Sequence, residues 1–244
     1  LARRAATQED IDAKVLHLLT SYEKAGLFSA PMADPACRAG TQESRAVALN
    51  AALGAPVLLK NEEQALPLSP SSRICIGGTN AYTVAQGGGS SMVQLETAPL
   101  TFAELMQKEG SFLLPRRWFK HSHLKQRVRS SNAVVLVVGF DHIEESEAYD
   151  RPWALNAVDL KAIKTAVRLN KRTIVVVQSG SAVEMESWQD GVAAILYTSF
   201  LGSSTAQALK ALLFGQVSPS GKLPFTQARY LHEYRAMRSY PKNF

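Results

Sequence analysis

Four carboxylates, Glu144, Glu145, Glu147 and Asp150, fall within seven residues, and Arg151 follows directly. Like charges this close oppose one another's ionisation and raise at least one carboxyl pKa; partial burial raises it further. A carboxylic acid still protonated near neutral pH is what a general acid requires. Arg151 can pair with Asp150 and hold the loop's shape through two-pronged hydrogen bonding. Charge alone also fits a solvated acidic loop with a structural Asp–Arg pair.

A second segment with chemical potential is Gly87-Gly88-Gly89-Ser90-Ser91. Glycines allow backbone N–H groups to approach a ligand closely. The run is not G-x-G-x-x-G and has no lysine after it, so it reads as a ligand-lining loop or a flexible connection, not a nucleotide site. The histidines His17, His121, His123, His142 and His232 form no metal-ligand spacing, and no serine sits in G-x-S-x-G. Gln178-Ser179-Gly180-Ser181 can shape a pocket at a strand end but has no base beside it. The cysteines, Cys37 and Cys75, read as separate inert thiols; a chain this size with two distant cysteines has no disulfide framework.

These loops need elements to hold them. Ala133–Val138, Thr173–Val177 and Val192–Tyr197 are apolar runs without polar alternation, as in strands buried on both faces; Arg73–Ile76 is a shorter one. Helical stretches, Phe102–Lys108, Ala157–Leu169 and Thr205–Phe214, lie among them. The alternation predicts an α/β fold with a doubly wound, mostly parallel sheet sandwiched by helices. Sites in such sheets lie beyond the carboxyl ends of strands. The loops there are Gly77–Val93, Gly139–Arg151 and Ser179–Trp188. Upstream, Asp10–Gly26 reads as an amphipathic helix capped by Thr7 and Asp10, and Thr41 to about Leu53 as another, followed by a short apolar stretch, Val57–Leu59.

With 46% hydrophobic and 20% charged residues in 244, the composition is that of a globular chain. No apolar run approaches the roughly 20 residues that span a bilayer, so no membrane partner is expected. Leu1–Ala6 carries two arginines with no apolar stretch behind them and does not read as a signal peptide. The net charge of +6 concentrates in Arg116, Arg117, Lys120, Lys125, Arg127 and Arg129, with Trp118 and Phe119 among them. A nucleic-acid patch has this look, as does a solvated face or a docking surface. No recognition motif accompanies it, so no nucleic-acid partner is expected.

Several segments, in order, resemble the second domain of family 3 glycoside hydrolases. Val57-Leu58-Leu59-Lys60-Asn61-Glu62 with Leu66-Pro67-Leu68 is similar to that family's V-L-L-K-N-E…L-P-L opening. Gly87–Val93 resembles its G-G-G-S-S-x-V loop, and Gly139–Arg151 its E-x-E-G-x-D-R segment. Val183–Trp188 with Ala193–Leu196 resembles V-x-M-x-x-W…A-I-L. Leu213-Phe214-Gly215 and Pro219–Pro224 match L-F-G…P-S-G-K-L-P. The resemblance covers roughly Arg45 to Thr226, and Ile11–Phe28 looks like the last helix of the barrel that precedes this domain.

The resemblance implies an α/β sandwich at 45–226, a barrel remnant at 1–28, a linker at 29–44 and a C-terminal extension at 227–244. It implies retaining hydrolysis of terminal β-linked sugars, with β-glucosidase-like character. The nucleophile would lie on a barrel domain or subunit that must act as partner, and the chain alone would be inactive. The acid/base falls on Glu147, with Glu145 as runner-up. Gly88, Gly89, Ser90 and Ser91 would line the substrate, and Asp150 and Arg151 would be structural at the site. No metal or organic cofactor is implied, because two carboxyls and water suffice. A secreted or periplasmic location fits the resemblance. The chain departs from the family at Ala148, where Gly is usual, and at Leu201–Ala206, in place of P-G-Q-x-G-G. It departs again at Leu155–Asp159, in place of L-P-x-x-Q. A non-catalytic domain that binds carbohydrate or a protein partner is the alternative.

Overall fold

The computed structural model describes residues 6–30, 40–94, 98–147 and 149–239. Cys37, most of the expected linker, Ala148 and the last five residues lie outside the described residues. The chain divides into two compact units, 1–41 and 42–244.

The first unit holds helix α1 (Gln8–Lys24). Its start is set as expected: Thr7 Oγ1 accepts from the Asp10 N–H at 3.2 Å, and the Asp10 carboxylate accepts from the Thr7 N–H at 3.0 Å. Two donors that the helix cannot satisfy internally are thereby paired. Gly26, at φ 74°, turns the chain out of the helix, and Leu27 N–H closes back on the Tyr22 carbonyl. Ile11, Val15, Leu18, Leu19 and Tyr22 recur at helical spacing, and none is buried.

The second unit is built on one six-stranded sheet. Its helices and strands run α2 (Gln42–Gly54), β1 (Val57–Asn61), β2 (Ile74–Gly77), α3 (Phe102–Lys108), β3 (Phe112–Leu113) and α4 (Ser122–Ser130). They continue as β4 (Ala133–Gly139), α5 (Ala157–Leu169), β5 (Thr173–Gln178), β6 (Ala194–Tyr197), α6 (Thr205–Leu213) and α7 (Ala236–Ser239). The strand order is β1-β6-β5-β4-β2-β3. All neighbours are parallel except β1, which runs antiparallel to β6 at one edge. The chain is therefore the doubly wound, mostly parallel α/β fold that the sequence predicts.

The uninterrupted apolar runs have their reason in this position. Every residue of β2, β4, β5 and β6 is buried, because helices cover both faces. Successive side chains alternate between two cores. Val135, Val137, Ile174, Val176 and Leu196 face α2, α3 and α6, where Ala52, Phe102, Met106, Leu209 and Leu212 meet them. Val134, Leu136, Val138, Val175 and Val177 face α4 and α5, meeting Leu124, Val128, Ile163 and Ala166. Each fully buried aliphatic side chain contributes about 1.5–3 kcal/mol.

The basic stretch turns out to be α4 and the 3-10 turn before it, Trp118–Lys120. Trp118 is 1% exposed and belongs to the core, so its ring is not a stacking platform. Arg127 lies over the Phe112 ring at 4.4 Å. Cys75 is a free, buried thiol whose pKa burial pushes up.

Candidate active site

The loops after β2, β4 and β5 meet at the carboxyl end of the sheet, tied together by the acidic loop. Two of its glutamates reach in different directions. Glu145 reaches to the β5 loop, where its carboxylate accepts from Ser179 Oγ at 2.9 Å and from the Gly180 N–H at 2.9 Å. The Gly180 backbone comes so close that a Cβ there would collide with Glu145 Oε2. Glu145's own carbonyl accepts from the Gly88 N–H at 2.9 Å, which brings in the glycine loop. A Cβ on Gly88 would strike the His142 carbonyl, so this glycine is required for close approach.

Arg151 is the brace of the acidic loop, and it forms an ion pair with Glu145. Arg151 Nε lies 3.3 Å from Glu145 Oε1, and the two side chains are only 15% and 11% exposed. The guanidinium also donates to Ser181 Oγ at 2.8 Å and to the carbonyls of Ala182 and Pro152. It stacks over the Phe140 ring at 4.2 Å. Tyr197 supports the receiving loop by donating to the carbonyls of Ser179 and Ser181, and burial pushes its phenol up to about 12. Arg151, Ser179 and Gly180 together fix the position of the Glu145 carboxylate.

Glu147 is exposed and reaches the glycine loop instead. Its carboxylate accepts from Ser90 Oγ at 2.7 Å and from the Ser90 N–H at 3.1 Å. Both bonds favour the ionised form, and they hold its pKa below the ordinary glutamate range. Gly89, at φ 62°, lies against the Glu147 side chain, and Ser91 Oγ closes the 3-10 turn by donating to the Gly88 carbonyl at 2.8 Å. The structure therefore brings Gly88, Gly89, Ser90 and Ser91 together with Glu145 and Glu147. Asp150 is exposed at the end of the loop.

One carboxyl of the acidic loop has a raised pKa, but the expected crowding by its three acidic neighbours is not the cause. It is Glu144, where burial leads and the charges of Asp141 and Asp159 add to it. The clamp on Glu145 by Ser179 and Gly180 is absent from the sequence reading, as is the Ser90–Glu147 bond. Their partners lie tens of residues away, and only the sheet juxtaposes them.

An outward carboxylate steadied by a serine thus stands beside a second one held by arginine, at the carboxyl end of the sheet of an α/β sandwich. The chain belongs to glycosyl hydrolase family 3: the model of the family's C-terminal domain matches residues 56–243. Among curated relatives it is 29% identical over 216 residues to the exo-α-(1→6)-L-arabinopyranosidase of Bifidobacterium longum, covering 80% of this chain and 28% of the relative. It is 31% identical over 195 residues to thermostable β-glucosidase B of Acetivibrio thermocellus, covering 74% of this chain and 26% of the relative. The β-glucosidase of Bifidobacterium adolescentis superposes with a TM-score of 0.83 at 24% identity, over 97% of this chain and 36% of that one. β-Glucosidase 3B of Thermotoga neapolitana superposes at 0.81 with 24% identity, over 98% of this chain and 38% of that one. These superpositions establish a common fold. The chain spans under a third of the length of the two curated relatives.

Proposed function

We propose that this chain supplies the general acid/base of a retaining β-glycosidase, with Glu147 as that group and the nucleophile on a barrel domain. The observation that carries the reading is the division of labour between the two glutamates. Glu145 is half-buried against Arg151, whereas Glu147 stands exposed at the rim with its carboxylate held by Ser90.

In such a reaction one carboxyl first protonates the leaving oxygen and then, as carboxylate, takes a proton from the water that opens the glycosyl-enzyme. The nucleophilic carboxyl must sit about 5–5.5 Å away, across the scissile bond. In the chain alone Glu147 meets solvent and the Ser90 hydroxyl, which suits the base half of the cycle. The acid half needs a raised pKa, and covering Glu147 with a second protein surface would raise it by desolvation. Arg151 and Glu145 fix the loop, so that closure meets a carboxylate already in place. The relatives' names, an arabinopyranosidase and β-glucosidases, support a terminal sugar as substrate.

The test is a chimera in which residues 42–244 replace the corresponding domain of the Bifidobacterium adolescentis enzyme. The chimera should hydrolyse aryl β-glucosides, and the chain alone should not. Glu147→Gln should slow poor leaving groups by about 10²–10⁴-fold and activated ones far less, because only the former need the proton. Turnover by the chain alone, or equal rates for Glu147→Gln and the parent chimera on poor leaving groups, would contradict the assignment.

A further inference from the structure

β2 and β4 are neighbours in the sheet, yet their chains leave it on opposite faces. The segment after β2 leads to α3, packed in one core, and that after β4 leads to α5, packed in the other. The crevice at such a switch point is where open α/β sheets bind ligands. A cleft of about 540 Å³ opens there, within the range of small-molecule pockets. It belongs neither to the Ser90–Glu147 contact nor to the Glu145 clamp.

Its floor is fixed. Thr79 donates through its N–H at 3.0 Å and through its hydroxyl to Asp159, a buried carboxylate that also accepts from Asn156 Nδ2 at 2.8 Å. Asn156 and Asp159 both stand at the start of α5, so the helix end fixes this floor. The walls carry one exposed cation, Arg116, and two acids, Asp141 and Glu144. Asp141 Oδ1 accepts from the N–H groups of Ile143 and Glu144 at 2.8 and 2.9 Å, and Glu144 Oε2 accepts from the Asp141 N–H at 3.3 Å. One oxygen of each acid makes no hydrogen bond among the described residues. Tyr82, Pro115 and Ile143 add apolar wall.

Two carboxylates against one guanidinium disfavour a phosphate. Gly78, on the lining, is no phosphate cradle either: a Cβ there would collide with the Val137 backbone, so the glycine serves strand packing. A hydroxyl can donate to a carboxylate and accept from a guanidinium, and a sugar ring has an apolar C–H face for Tyr82 and Ile143. We propose that this cleft binds a pyranose-sized polyol through Arg116, Asp141 and Glu144. The turn from Asp141 to Glu144 leads straight into Glu145, whose carbonyl holds the Gly88 N–H, so an occupant braces the loop that carries Glu147.

The experiment is calorimetry and NMR titration of the 244-residue chain with D-glucose, D-xylose, L-glutamate and inorganic phosphate. One of the two sugars should bind saturably with a Kd of about 1 mM, corresponding to roughly 4 kcal/mol. Arg116→Ala and Glu144→Gln should each weaken it about tenfold or more while leaving the thermal unfolding midpoint in place, as expected for charge-assisted contacts. Glu147→Gln should bind as the parent does. Absence of saturable sugar binding, or preference for L-glutamate or phosphate, overturns the proposal. So does sugar binding that ignores Arg116 and Glu144. Binding lost only in Glu147→Gln or Ser90→Ala would place the sugar at the rim, overturning the cleft while leaving the acid/base reading intact.

Discussion

Glu145 and Glu147 are the same residue type, two positions apart, and the fold gives them opposite employment. The sequence narrows the acid/base to this pair through the resemblance of the E-x-E segment, but it cannot show which one an arginine holds. Ser179 and Gly180, which complete the clamp on Glu145, lie 34 and 35 residues further on. Ser90, which steadies Glu147, lies 57 residues before it. The two glutamates therefore differ by long-range contacts that no local pattern encodes. Glu147's depressed pKa has a checkable cause. In a carboxyl-carbon NMR titration of the chain, Glu147 should titrate below the ordinary glutamate range and Glu144 above it. Ser90→Ala should move Glu147 upward and leave Glu144 where it was. Because Glu147's folded value is depressed, its bond to Ser90 helps the loop at neutral pH. That help is lost as pH falls through the depressed value.

Among the elements, the most legible are those whose pattern is strong. α3 and α5 match their expected spans, and the buried strands fall within a residue or two of theirs. Three features escape. β1 reads as a short apolar stretch because one edge strand carries no sign of its antiparallel partner. β3 is two residues long. α4 hides in the basic run, since its buried residues, Leu124 and Val128, are outnumbered by lysine, arginine and histidine on the exposed side. α5 shows how a departure from the family pattern is absorbed: Asn156 caps the helix by accepting from the N–H groups of Val158 and Asp159, and Thr79 and Asn156 satisfy Asp159. The loops joined by Glu145 should behave as one unit. Glu145→Ala leaves Arg151 largely buried without its ion pair and should cost on the order of 3 kcal/mol in denaturant unfolding. Glu147→Ala, at an exposed rim position, should leave the unfolding midpoint close to that of the parent. Equal losses for the two would show that Glu145 is not the structural member.

At the scale of the whole molecule, a chain that spans under a third of its curated relatives carries a folded sandwich with a formed acidic rim. Its Glu147 is positioned but exposed, which is the state expected of a carboxylate waiting for a second surface to desolvate it and a nucleophile to share the bond. Chemical rescue in the chimera tests that claim most directly. With Glu147→Ala, hydrolysis of an activated aryl β-glucoside should stall at the glycosyl-enzyme, because no base is left to take the proton from water. Azide, a nucleophile that needs no base, should restore turnover and yield the β-glucosyl azide with retained configuration. A rate indifferent to azide in Glu147→Ala, with rescue appearing in Glu145→Ala instead, would contradict the assignment of Glu147.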